Sequence, residues 1–177
     1  MAMARYPAEL VRKRYLFDGS EVTIRPINAD DASIEADFVR HLSPESRYSR
    51  FMVTLNELPT TKLRYLTDVD YDKHMAFVAT LPQEGKETEI GVARYIVDPN
   101  GASCEFAVAV GDAWQGSGVA GILMATLMDT ARARGLTSME GIILATNHRM
   151  LKFARQLGFT PHRDWDEPDT VHVARPL

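Results

Sequence analysis

The chain has 177 residues, of which 45% are hydrophobic and 25% charged, with a net charge of −4. That length and composition suit one globular domain with its own core. The acidic balance and the lack of a Lys/Arg block argue against nucleic acid, a single cysteine excludes an internal disulfide framework, and no apolar run reaches the roughly 20 residues of a membrane span. The N-terminus, MAMARYPAEL, lacks the apolar centre of a signal peptide. The expectation is a cytoplasmic protein with no nucleic-acid and no membrane partner.

Residues 1–19 read as a polar lead-in that ends in an Asp18-Gly19 turn, and residues 20–177 as one domain. EVTIRPI alternates as a strand does and is stopped by Pro26. Asn28 or Asp30 would cap a helix with apolar positions at Ile34, Phe38 and Leu42. In SPESRYSRF, Ser43 suits an N-cap and Pro44 the first helical position. LPTTKLRYLTDV predicts a further short helix. HMAFVATL, TEIGVARYIVD and ASCEFAVAV are rich in β-formers, and the turn clusters PQEGKE and DPNGA separate them. Such short connections imply antiparallel neighbours. Beyond them Val119, Ile122, Leu123, Leu127 and Ala131 fall at helical spacing. Arg132 and Arg134 suit that helix's C-terminal dipole, and Gly135 ends it. SMEGIILAT predicts a strand. Asn147 caps HRMLKFARQL, which Gly158 ends, and FTPHRDW and TVHVARPL are closing strands.

Between the third antiparallel strand and its helix lies WQGSGVAG. It contains G-x-G-x-x-G, the dinucleotide fingerprint, and also Q-x-x-G-x-A. The dinucleotide reading needs the glycine turn at the strand end and an acidic residue closing the next strand. Here Gly111 to Gln115 intervene, Glu140 opens its strand, and Gly121 falls inside the helix. The phosphate loop of nucleotide hydrolases fails too, because no Gly-Lys-Ser/Thr follows. What remains is a run of small residues at a helix N-terminus, where free N–H groups and the helix dipole attract an anion. A glycine turn that merely starts a helix is the competing reading.

The strand SCEFAVAV has two unlike faces. Cys104, Phe106, Val108 and Val110 form an apolar one. Ser103, Glu105, Ala107 and Ala109 form one that is small except for a carboxylate. Glu105 is either a base beside a cleft or an edge charge in water or paired with an arginine.

The strand, the gap, Q-x-x-G-x-A opening a helix, then Asn at a helix cap and LGF at its end together resemble the GNAT superfamily of N-acetyltransferases. The family's core pattern is V-x-P-x-[WY]-[RQ]-G-x-G-x-[GA], with a later Asn helix ending in Gly-Phe. This chain has VGDAWQGSGVA and NHRMLKFARQLGF. YPAEL, DGSEVTIRPINADDA, LSPESRYSRFM, GVARY and EFAVAV are further similar to the acetyltransferase domain of bacterial protein-lysine acetyltransferases, which are often fused to acyl-CoA-synthetase-like or cyclic-nucleotide domains. Within these 177 residues no such fused domain is expected.

The resemblance implies an α/β (α+β) GNAT fold: a mixed, mostly antiparallel sheet of about six to seven strands flanked by helices, with a V-shaped splay between two central strands. It implies acetyl-CoA as cosubstrate and a primary amine as acceptor, a small molecule or a protein lysine. Pantetheine would pair with the backbone of Phe106, Val108 and Val110. The diphosphate would rest on the amides of Gln115, Gly116, Ser117, Gly118, Val119 and Ala120, and Asn147 would touch the pantetheine arm. Glu105 matches the family's general base. A backbone N–H around Val108 to Val110 would polarise the thioester carbonyl. Ala154 stands where many members carry a Tyr that protonates the leaving thiolate, so that general acid is missing. A homodimer is compatible with the resemblance, and a non-catalytic acyl-CoA sensor is the alternative function.

The other candidates read as follows. Cys104 belongs to the core rather than to a covalent mechanism, since no His is near in sequence. His41, His74, His148, His162 and His172 lack ligand spacing, so no metal is expected. In RYSRF, Arg47, Tyr48 and Arg50 either line the acceptor side of the cleft or form a solvated basic face with Tyr48 or Phe51 packed inside. Trp114 reads as an anchor beneath the loop. Lys152 and Arg155 either reach the 3′-phosphate of CoA or face water.

Overall fold

A computed structural model describes residues 4–177; the first three residues of the expected lead-in lie outside the described residues. The lead-in contributes a strand of its own, β1 (Arg12–Tyr15), which pairs antiparallel with β2 (Glu21–Pro26) across the Asp18-Gly19 turn. Three helices follow: α1 (Ala32–His41), α2 (Pro44–Phe51) and α3 (Thr60–Thr67). The meander is β3 (His74–Gln83), β4 (Lys86–Val97) and β5 (Ser103–Val110). Then come α4 (Val119–Ala133), β6 (Ser138–Leu144), α5 (His148–Gln156), β7 (Thr160–His162) and β8 (Thr170–Pro176).

These strands form one sheet of eight, in the order β1-β2-β3-β4-β5-β6-β8-β7. The extra strand over the expected six to seven is β1. Its sequence, RKRY, is exposed at every position, so no alternation marks it. Every neighbouring pair is antiparallel except β5–β6.

The sheet is covered on both faces. Leu123, Met124 and Leu127 of α4 and Leu151 of α5 pack on one face with Phe77, Tyr95 and Phe106. Phe38 and Val39 of α1 and Leu66 of α3 pack on the other with Val78, Val92 and Ala109. Two-sided cover explains why β3 is buried at every position from His74 to Leu81. Caps set the helix starts as the sequence implied. The Ser43 side chain accepts from the Ser46 N–H, and Asn147 Oδ1 accepts from the Met150 N–H at 3.2 Å.

The parallel pair is short. β5 and β6 are in register only at Ser103–Ser138, Cys104–Met139 and Glu105–Glu140, and then separate. The Phe106 ring fills the point of separation, with its centre 4.9 Å from that of Phe159. It lies directly over Gly141, where a Cβ would sit 2.4 Å from Phe106 Cε1. Gly141 is therefore required for close approach. Gly141→Ala forces the ring aside, and an overpacking cost of about 1–3 kcal/mol in urea-unfolding free energy is expected. Unchanged stability would mean that the ring has a second comfortable position.

Candidate active site

Separation leaves β5 with one bonded edge and one open edge. On the bonded side β4 holds it in register from Gly91–Val110 to Val97–Cys104. The Gly111 N–H donates to Ile90 O on that side at 2.8 Å. Backbone direction alternates along an antiparallel strand, so the N–H and C=O of Phe106, Val108 and Val110 point the other way, toward the departing β6. A cavity of about 840 Å³ occupies that gap, a size in the usual range for ligand sites.

One wall of the cavity is the loop after β5. A single 3₁₀ turn, Asp112–Trp114, leads to Gln115. Gly116 has φ +82° and Gly118 φ +95°, values that favour glycine, and Gly118 is the N-cap of α4. Among the described residues the Gly116, Gly118 and Ala120 amides have no hydrogen-bond acceptor. The Val119 N–H is already drawn to Ser117 Oγ at 3.4 Å, and the Val119 side chain is core. The loop thus presents unpaired donors at the positive end of a 15-residue helix. Trp114, half-buried against the core, is the expected anchor.

Of the residues singled out in the sequence, Phe106, Val108, Val110, Gln115, Gly116, Gly118, Ala120 and Asn147 line the cavity. Ser117 and Val119 do not. Glu105 stands outside the lining residues too. It shares a face with Ala107 and Ala109, but it is exposed and sits at the last paired position, beside Glu140. A hydrogen bond from Asp98, then burial and the Asp98 and Glu105 charges, push the Glu140 carboxyl up. Lys152 lines the cavity and Arg155 does not. Burial, with Asp98 and Glu140 nearby, pushes the Cys104 thiol to about 12, which removes it as a nucleophile. Ala154 is core, 1% exposed. Among the described residues no cluster of three or more metal-ligating side chains occurs.

Among the lining residues that the sequence did not single out, Arg149 and Phe17 act directly on the loop. Arg149 lines the wall and donates to Gln115 Oε1 at 2.5 Å, clasping α5 to the loop. Phe17, in the β1–β2 turn, is 86% exposed, yet its ring reaches within 3.0 Å of where a Gly118 Cβ would be. Its N–H donates to Ser117 O at 3.0 Å. No periodicity signals either one, because both act on residues far along the chain.

The chain matches the acetyltransferase (GNAT) family over residues 37–159. It belongs to that family. It is 37% identical over 156 residues to the acetyltransferase PA5475 of Pseudomonas aeruginosa, covering 88% of this chain and 84% of the relative. It is 30% identical over 136 residues to the acetyltransferase Pat of Mycolicibacterium smegmatis, covering 76% of this chain but only 40% of that longer protein. Its structure superposes on the GNAT domain of S. lividans PAT with a TM-score of 0.89 at 30% identity, over 98% of this chain and all of that one. No described helix is long and apolar enough to cross a membrane.

The opposite wall of the GNAT cleft is α2, which presents Ser46, Ser49 and Arg50. Behind that wall lies a buried charged cluster. Arg94 of β4 donates to Leu66 O at 2.8 Å, meets His74 Nε2 at 2.9 Å, and stands 3.9 Å from Glu35 of α1. Beside that guanidinium His74 must accept, so it is neutral. Burial, then the Arg94 charge, depresses His74 from 6.5 to about 4. Between those values the unfolded chain binds a proton that the folded one refuses, so acid favours unfolding. Stability is expected to fall by about 2–3 kcal/mol as pH drops from 6.5 to 4. Urea titrations of wild type and His74→Gln across that window check it; the variant should show a flatter profile.

Proposed function

We propose that the protein transfers acetyl from acetyl-CoA to a primary amine, with a protein lysine as the favoured acceptor class. One observation carries this reading. The open edge of β5 runs straight toward a loop of unpaired amides at a helix N-terminus, so an extended thiol arm and its diphosphate can be held in one line. The family supports the acyl-transfer chemistry, and the resemblance of this sequence to protein-lysine acetyltransferase domains suggests the acceptor class.

In this reading pantetheine pairs with Phe106, Val108 and Val110, with Asn147 beside it. The diphosphate takes the free donors of the Gln115–Ala120 loop, the amides of Gly116, Gly118 and Ala120, and Lys152 and Arg149 add positive charge. The acceptor approaches from the α2 side. It arrives as an ammonium, with an ordinary pKa near 10.4, and must lose a proton before it attacks. Glu105 takes that proton through water, since it stands just outside the lined cavity. The neutral amine then attacks the thioester carbonyl. The C–N bond forms, the C–S bond breaks, and a β5 N–H at Val108 or Val110 holds the developing oxyanion. CoA leaves as the thiolate, because Ala154 offers no proton; the second proton of the attacking nitrogen passes to water as the amide forms, and the thiolate is protonated from solvent.

Glu105→Gln is expected to lower kcat by about 10²–10⁴-fold while acetyl-CoA binding by calorimetry is unchanged. Unchanged turnover removes Glu105 from the reaction. A non-catalytic acyl-CoA sensor is the second reading, favoured by the position of Glu105 outside the lining and by Ala154. Wild-type protein that binds acetyl-CoA yet acetylates nothing across an amine and protein panel supports it.

Phe17 forms the outer rim of the nucleotide end, and its exposed ring is placed to stack on the adenine. Phe17→Ala is expected to raise the KM for acetyl-CoA about tenfold, in line with the worth of base–aromatic stacking. The KM for acetyl-pantetheine, which has no nucleotide, should not move. An equal effect on both donors would place Phe17 elsewhere.

A further inference from the structure

The two arginines of α2 are used differently. Arg47 is buried and donates through Nε and Nη1 to the carbonyls of Leu55, Arg40 and Leu42 at 3.0, 3.1 and 2.6 Å. It holds the helix and its following loop together. Arg50 lies one turn on and lines the cleft. Among the described residues it has no hydrogen bond and no ion pair; its guanidinium carbon stands 4.8 Å from the centre of its neighbour's ring, Phe51.

The surrounding charges leave Arg50 without a counter-ion. Arg94 pairs with Ala107, a cleft-lining residue, in the β4–β5 register, so its positive charge lies one strand behind the cleft floor. Glu35 is the carboxylate nearest Arg94. Burial, together with Glu35, pushes the Glu89 carboxyl well above its ordinary value, toward the neutral acid. Asp112 accepts from the Ser43 N–H, Ser43 Oγ and Ser46 Oγ at 3.0, 3.0 and 2.9 Å, and is spent on fixing α2. Glu45 is exposed at the mouth. Arg50 itself is brought down to about 10 by burial first and Arg94 second, against the pull of Glu35. A half-buried cation in this state gains more from an anion than a solvated one does.

We propose that Arg50 is a carboxylate subsite of the cleft, binding a carboxylate carried by one of the two reactants. Its planar fork suits that group. The carboxylate comes either with the acceptor amine or on the acyl chain of the CoA thioester. The proposal rests on the acyl-CoA reading of the cleft.

The test uses wild type, Arg50→Gln and Arg50→Lys, each first checked for folding by circular dichroism and for acetyl-CoA binding by calorimetry. One arm compares amino acids with their carboxamides as acceptors for acetyl-CoA. The other compares malonyl- and succinyl-CoA with acetyl- and propionyl-CoA by direct binding. In one arm wild type should prefer the carboxylate about tenfold to a hundredfold. Arg50→Gln should abolish that preference, Arg50→Lys should keep part of it, and the Kd for acetyl-CoA should stay the same. No preference in either arm, or a preference that survives Arg50→Gln, overturns the subsite. Wild type that fails to bind acetyl-CoA overturns instead the reading on which the subsite rests. If Arg50→Gln does not fold, Arg50→Lys decides: full retention of the preference overturns the proposal.

Discussion

The structure depends on the pairing of β5 with β6 being stopped after three residues. A strand that loses its neighbour inside a sheet leaves N–H and C=O groups unpaired, and such groups are costly unless water or a ligand meets them. Here the break is held open by side chains. The Phe106 ring stands on Gly141 and against Phe159, so β6 cannot close on β5 beyond Glu105. The opposite edge of β5 stays locked to β4 over seven pairs. The result is a straight, rigid strand with one bonded edge and one free edge, which is preorganised rather than flexible.

A second constraint ties the two walls of the cleft to each other. Asp112 lies in the turn between β5 and the glycine loop, yet its carboxylate is spent on the first turn of α2. Burial works to raise that carboxyl, but the bonds from Ser43 and Ser46 outweigh it and hold it below its ordinary value. Arg149 makes the matching tie from α5 to Gln115. The loop is thus fixed from both sides, and a shift of the loop moves the wall that bears Ser46, Ser49 and Arg50. Geometry of this kind is what acyl transfer needs, because a small misplacement of reacting groups is expensive.

How much of this could be read from the sequence follows from the range of each interaction. The loop and the Asn147 cap are local: glycines at positive φ, small residues before an apolar helical stripe, and a capping Asn all carry short-range signals. The strands β3 to β5 showed themselves through composition and turns. β1 did not, because RKRY is held by pairing with β2 and buries none of its side chains. Phe17 and Arg149 escaped for a related reason. Their partners lie 101 and 34 residues away (Gly118 and Gln115), and neither sits in a periodic pattern. The alternatives left open for RYSRF were resolved residue by residue. Arg47 is structural, Phe51 packs on the core, Tyr48 is 47% exposed, and Arg50 faces the cleft.

The buried cluster behind α2 shows the same logic in charge. Isolated ions in a core are destabilising, and even a matched pair seldom repays its desolvation. Yet Glu35, Glu89 and Arg94 are each under 5% exposed, and Glu35 Oε2, both Glu89 oxygens and Arg94 Nε and Nη2 have no hydrogen-bond partner among the described residues. Glu89 reduces the cost by moving toward its neutral acid. Arg94 spends its other donor on Leu66 O and His74, which pins α3 to the sheet. Glu35 stands 3.9 Å from Arg94, the nearest ion pair in the cluster. An apolar core at this place would be cheaper, but it would not put a guanidinium behind two alanines on the floor of the cleft. Arg50, on the cleft side of the cluster, makes no ion pair among the described residues, and in the proposed subsite a carboxylate on a reactant supplies that partner.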